Sequence, residues 1–157
     1  MPPASPTLSP QLLRLLTLNP ADHPRGVAHW SAASGLVCVG KRLFVVADDE
    51  VHLGVFDSGA MQAPGALLRL LEGDLPHDKG ARKKAKPDLE TLALLPPLPG
   101  HPHGALLALG SGSKPQRETG VLLALDAQGA PSGQPRLVDL APLYAPLHKR
   151  FADLNIE

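Results

Sequence analysis

A short acidic signature recurs along this chain, each time beside an apolar run: Ala47-Asp48-Asp49-Glu50, Pro87-Asp88-Leu89-Glu90 and Leu154-Asn155-Ile156-Glu157. Recurrence of this kind constrains the fold more than composition does, because a unit written several times buries its apolar face against its own neighbours. The third copy coincides with the last residue given, so the expectation is the N-terminal part of a repeat architecture, cut at its C-terminal side.

The apolar runs between these copies are short and separated by turn residues. Residues 35–39, the turn Gly40-Lys41 and residues 43–47 read as a β-hairpin. Residues 51–56 follow as a third strand, with Asp57-Ser58-Gly59 as its turn, and residues 66–71 as a fourth. Residues 72–87 form a polar, basic insertion, after which apolar runs at 89–95, 104–109, 121–125 and 136–140 repeat the arrangement. Two successive four-stranded meanders fit this spacing better than an alternation of strands and helices. Ahead of them, residues 12–18 suit a first strand or a short helix, closed by Asn19-Pro20. Near the C-terminus the period changes: Leu140, Leu143, Tyr144, Leu147 and Phe151 share a helical face, with Asp139 as its N-cap. Pro146 leaves both one continuous helix and two short helical turns open.

Composition sets the outer bounds. With 157 residues and 43% hydrophobic side chains, the chain has enough apolar material for one domain core, which excludes disorder throughout. Formal charge sums to zero, so no global field draws the protein to nucleic acid or to an anionic membrane. The single cysteine, Cys38, forms no intramolecular disulfide and, inside an apolar run, is expected to be a buried structural thiol. Met1-Pro2-Pro3-Ala4-Ser5-Pro6 lacks the basic start and apolar stretch of a secretory signal, and no run of about 18 uncharged apolar residues occurs. The expectation is a soluble, cytoplasmic protein with neither a membrane nor a nucleic-acid partner.

Several residues carry a family resemblance. Ser34-Gly35-Leu36, followed by Lys41-Arg42-Leu43-Phe44-Val45-Val46-Ala47-Asp48-Asp49, resembles the opening blade of the phytase-like esterase β-propellers, a bacterial family. Asp88-Leu89-Glu90-Thr91-Leu92-Ala93 is similar to the D-L-E-G-L-A element that recurs in those proteins, with Thr91 standing in place of its glycine. Asn155-Ile156-Glu157 looks like the next occurrence. Residues 104–115 and 153–157 also resemble a group of uncharacterised bacterial propeller proteins. The resemblance implies an all-β fold: part of a single β-propeller occupying residues 1–157, with two to three four-stranded antiparallel blades and a short helical excursion near the C-terminus. The remaining blades would lie outside this chain.

Within a propeller, carboxylates at matching places in successive blades converge on a central channel, where hard oxygen donors hold Ca²⁺ or another divalent cation. Asp48, Asp49, Asp88, Glu90, Asn155 and Glu157 are the candidate ligands, with Glu50 beside them. The structural alternative is that these residues cap turns. A second constellation is basic: Lys79, Arg82, Lys83, Lys84 and Lys86 crowd the insertion, and Ser111, Ser113, Lys114 and Arg117 occupy a later loop. On one face, Lys86, Ser111, Ser113, Lys114 and Arg117 would bind a small, phosphorylated ligand; the alternative is a solvated loop. Ser111-Gly112-Ser113-Lys114 matches S-x-x-K, but its glycines and Pro115 argue for a loop rather than a helix start. His101 and His103 read as surface residues, His29-Trp30 as packing at a blade edge, and neither nucleotide-binding glycine motif is present. Two functions follow as expectations: a divalent-cation-dependent phosphoesterase or esterase-like hydrolase, and alternatively a non-catalytic propeller that binds a ligand or protein.

Overall fold

The computed structural model describes residues 9–60 and 62–156; the expectations resting on residues 1–6 and on Glu157 fall outside this span. Among the described residues, eight strands form two four-stranded antiparallel sheets, each a simple meander. The first contains β1 (Ala33–Val39), β2 (Arg42–Ala47), β3 (His52–Asp57) and β4 (Ala66–Arg69). The second contains β5 (Leu89–Leu95), β6 (Ala105–Gly110), β7 (Thr119–Leu125) and β8 (Pro131–Asp139). Among the described residues there are two α-helices, α1 (Lys79–Ala85) between the sheets and α2 (Ala141–Arg150) after the second. The mostly β architecture and the pair of meanders agree with the sequence reading.

Alternation along β2 explains how the layers form, because successive side chains point to opposite faces of a strand. Phe44 and Val46 point toward the second sheet and join Leu53 and Leu70 in a core with Leu89, Leu92, Leu106, Ala108, Val121, Leu123 and Leu125. Val45 points the other way and packs with Leu18 and Phe56, flanked by Leu16, Trp30, Leu43 and Leu67. This outer face is covered by the segment preceding β1, which Thr17 and Leu18 tie down through isolated bridges to His29 and Gly65. Residues 12–18 are therefore a strap rather than a strand or helix, and Trp30 packs beneath it as a half-buried edge residue.

Three further expectations are corrected. Cys38 is exposed: β1 turns Val37 and Val39 toward the core, so Leu36 and Cys38 face away from it, and the strap does not reach them. The basic insertion contains α1, whose first turn is capped by Asp78 accepting from the Ala81 amide at 2.8 Å. The last strand begins at Pro131 rather than near residue 136, because β8 is a sheet edge, where a missing proline N–H costs no ladder bond. Of the two options left open by Pro146, α2 is one continuous helix. Among the described residues no helix is long and apolar enough to cross a membrane.

The two sheets share a repeated detail where their first strands begin. Ala32 and Asp88 are the non-glycine residues with positive φ among those described, at 52° and 59°, and each immediately precedes the first strand of its sheet. In both sheets the register to the second strand slips after one pair, between Ala33 and Gly35 and between Leu89 and Thr91. Superposing these features matches Ala32 with Asp88 and Ser34 with Glu90. At the far end, the pairs Ala33–Ala47 and Leu89–Gly110 match Asp48 with Ser111.

Candidate functional site

The correspondence changes the meaning of the acidic copies. Asp48 lies at the exit of β2, whereas Asp88 lies at the entrance of β5, so these carboxylates are not equivalent members of a repeat. They meet because the end of β2 in one sheet adjoins the start of β5 in the next. Backbone bonds run through this junction: the Asp48 amide donates to Ala32 O (3.1 Å), Asp88 to Asp48 O (3.1 Å), Ser111 to Asp88 O (2.9 Å) and Ile156 to Ser111 O (3.0 Å).

Carboxylate oxygens of Asp48, Asp88 and Glu90 lie within 4.8 Å of one another. Two cations are already among them. Lys86 Nζ donates to Asp48 Oδ2 and lies 2.6 Å from Asp88 Oδ1, and Arg117 Nη1 donates to Asp88 Oδ2 at 2.8 Å. Ser111 Oγ adds a third bond to Asp88 Oδ2 at 2.5 Å, and Ser113 Oγ accepts from Arg117 Nη1 at 2.9 Å. Burial opposes a charge on Asp88, but the bonds from Lys86 and Ser111 and the positive charges of Lys86 and Arg117 outweigh it and hold the carboxyl below its ordinary range. Lys86 is raised in turn, burial being outweighed by its two carboxylate partners. Glu90 is raised, chiefly by burial and further by the charges of Asp88 and Asp48.

Oxygen donors of this kind suit Ca²⁺ or Mg²⁺, as the resemblance implies. The position between Asp48 and Asp88 that such an ion would take is, however, the one Lys86 holds, so these side chains as they stand do not fit a divalent cation. Asp49 and Glu50 have cationic partners of their own. Asp49 accepts from Arg82 Nε at 3.0 Å, and Glu50 is buried against Arg25 and His23. Asn155 is exposed, one residue before the Ile156 amide that bonds Ser111.

Of the residues expected to bind a phosphorylated ligand, Lys86, Ser111, Ser113 and Arg117 gather around Asp88, while Lys114 is exposed and outside the group. A cleft of about 500 Å³ opens beside them, lined by Ser31, Ala32, Asp48, Asp49, Lys79, Arg82, Lys83 and Lys86. Lys79, Arg82, Lys83 and Lys86 stand at i, i+3, i+4 and i+7, the spacing of one helical face. That spacing was the signal by which the cleft could have been read from sequence. Arg82 is fixed by Asp49 and by the carbonyls of Pro76 and His77, but Lys79 and Lys83 have no ion-pair partner among the described residues.

A third group joins Glu50 of the acidic signature to His23 and Arg25, which carried no sequence signal, and pins the segment preceding β1. Glu50 Oε1 accepts from Arg25 Nη2 and from His23 Nε2 at 3.3 Å, while His23 Nδ1 accepts the Arg25 amide at 3.0 Å. Desolvation nevertheless prevails over Arg25 and raises the Glu50 carboxyl to about 7.

Residues 29–157 match a family described as a family of unknown function, DUF6929. The chain belongs to that family. Neither a curated protein nor a solved structure matches it significantly. The membership covers both sheets, α1, α2 and the whole carboxylate junction, and leaves out most of the strap.

Proposed function

We propose that this DUF6929 chain contributes successive blades to a β-propeller, and that the cleft beneath α1 holds a small anionic ligand, of which a phosphorylated molecule fits best. The propeller reading is supported by two meanders of the same strand order, by the contact between their first strands, and by the repeated left-handed residue and register slip. It is further supported by the backbone bonds that pass from one sheet to the next and on to Ile156. The ligand reading rests on one observation: four cationic side chains on one face of the α1 segment line a cleft containing two carboxylates, leaving Lys79 and Lys83 uncompensated. Cationic donors with the Ser31 hydroxyl are the groups that recognise phosphate oxygens. Recognition without chemistry is the simplest function of such a cleft.

Calorimetric titration with inorganic phosphate and with simple phosphate monoesters tests this. Binding that weakens about tenfold or more in Lys79→Ala/Lys83→Ala and falls with ionic strength is the expected result. Binding untouched by the double substitution would remove the cleft from the account.

The second reading is the divalent-cation-dependent phosphoesterase or esterase-like hydrolase that the resemblance implies. The observation in its favour is the convergence of Asp48, Asp88 and Glu90. It requires Lys86 to withdraw. Metal-dependent turnover of phosphate esters or carboxylic esters, lost in Glu90→Gln, would establish it in place of simple recognition.

A further inference from the structure

We infer that Lys86 is the resident cation of the carboxylate junction, a tethered ammonium that closes the Asp48–Asp88–Glu90 cluster to Ca²⁺ and Mg²⁺. This inference goes beyond the ligand reading of the neighbouring cleft and stands without it.

The position of Lys86 is set by the backbone rather than by the carboxylates alone. It terminates α1, its amide donating to Arg82 O at 2.8 Å, and its φ of −60° and ψ of 144° are the extended values a following proline imposes. Pro87 fixes the next φ, and Asp88 follows in the left-handed region. Lys86 and Asp88 are thus two residues apart on a stiff stretch of chain, with the ammonium delivered to the Asp88 carboxylate by local geometry. Its side chain is 13% exposed, so the contact is made where water screens it poorly.

Charge closes the argument. The ammonium touches Asp48 and Asp88 together, and Arg117, 9% exposed, takes the remaining face of Asp88. Two carboxylates therefore meet two cations, each at ion-pair distance. A calcium ion needs six to eight oxygens at about 2.3–2.6 Å. Here Asp88 Oδ1 has Nζ at 2.6 Å and Asp88 Oδ2 is shared by Arg117 and Ser111. A divalent ion entering the cluster would have to displace the ammonium and then sit beside it.

Three measurements on the intact protein test this, with Ca²⁺ alone as the probe. Isothermal titration of the wild type should give no saturable binding that Asp88→Asn abolishes, and its melting temperature should not move with free Ca²⁺. Lys86→Met, which keeps the side chain as far as Cε and removes the ammonium, should acquire a site. Its melting temperature should rise by about 5–10 °C at a hundredfold excess of Ca²⁺ over Kd. If that variant does not fold, the ¹⁵Nζ resonance of wild-type Lys86 decides the matter. Protection from exchange and indifference to Ca²⁺ uphold the inference, and a Ca²⁺-dependent shift overturns it. Wild-type binding lost in Asp88→Asn overturns it equally, as does a folded Lys86→Met protein that ignores the ion.

Discussion

Single residues in this fold carry their energetic weight through burial of groups that prefer water. His52 on β3 is 6% exposed, and its Nδ1 has no hydrogen-bond partner among the described residues. Burial, aided by the charge of Arg69, lowers its pKa to about 4, so the folded protein holds it neutral. The folded value lies below the ordinary 6.5; stability is therefore constant above about pH 6.5, falls as the pH drops through the interval to about 4, and levels off below it. Glu50 works in the opposite sense. Its folded value of about 7 exceeds its ordinary 4.5, so its contribution is complete below pH 4.5 and is lost as the pH rises toward 7. The two slopes overlap, and a difference measurement separates them. Unfolding free energy from urea titrations should lose the acid-side slope in His52→Leu and keep the Glu50 slope. A wild-type-minus-variant difference that does not change with pH would mean that His52 is not held neutral by the fold.

At the level of elements, legibility in the sequence followed the clarity of each period. The strands were readable because Leu43-Phe44-Val45-Val46 and Leu92-Ala93-Leu94-Leu95 are β-length apolar segments with glycine, proline or aspartate close by. The helix α1 was not, because it buries no residue and so has no apolar stripe; only its Asp78 cap and the spacing of its cations mark it. Cys38 was misjudged because an apolar run does not say which of its two faces is covered. Part of the site was legible, since Asp48, Asp88 and Glu90 come together, but which cation would sit on which carboxylate depends on Asp48 and Asp88 being brought together by different sheets. The helix α2 shows how tertiary contact overrides a local rule. Pro146 sits inside it, yet the helix continues because Tyr144, fully buried, donates from Oη to Gly110 O at 2.5 Å and packs its ring against Gly112. Tyr144→Phe keeps the ring and removes the bond, so it should cost about 1 kcal/mol. Amide exchange should quicken in α2 more than in β6. Equal quickening in both would place the loss in the sheet instead.

For the molecule as a whole, what matters is how closely the two sheets approach. Their cores are continuous, with side chains of β2 and β3 packing among those of β5, β6 and β7. The tightest point is Gly35 on β1, where an added Cβ would stand 2.6 Å from the Leu92 amide nitrogen and 3.0 Å from Val46 Cγ2. Backbone cannot retreat there without disturbing the register slip that both sheets share at their first strands, or the bonds that link Ala32, Asp48, Asp88 and Ser111 a few residues away. Gly35 thus sets the spacing between sheets and, through it, the distance between the Asp48 and Asp88 carboxylates. Gly35→Ala should destabilise the protein by about 1–3 kcal/mol, the usual cost of overpacking a close contact. It should also weaken the hold of the carboxylates on Lys86, seen as faster exchange of its ammonium protons. The edge-strand variant Gly133→Ala on β8, at a φ of 75° with open space around it, tests backbone strain without a change in sheet spacing. It should lose stability and leave the Lys86 signal alone. If Gly35→Ala behaves like Gly133→Ala, the junction is set within each sheet and not by the packing of one on the other.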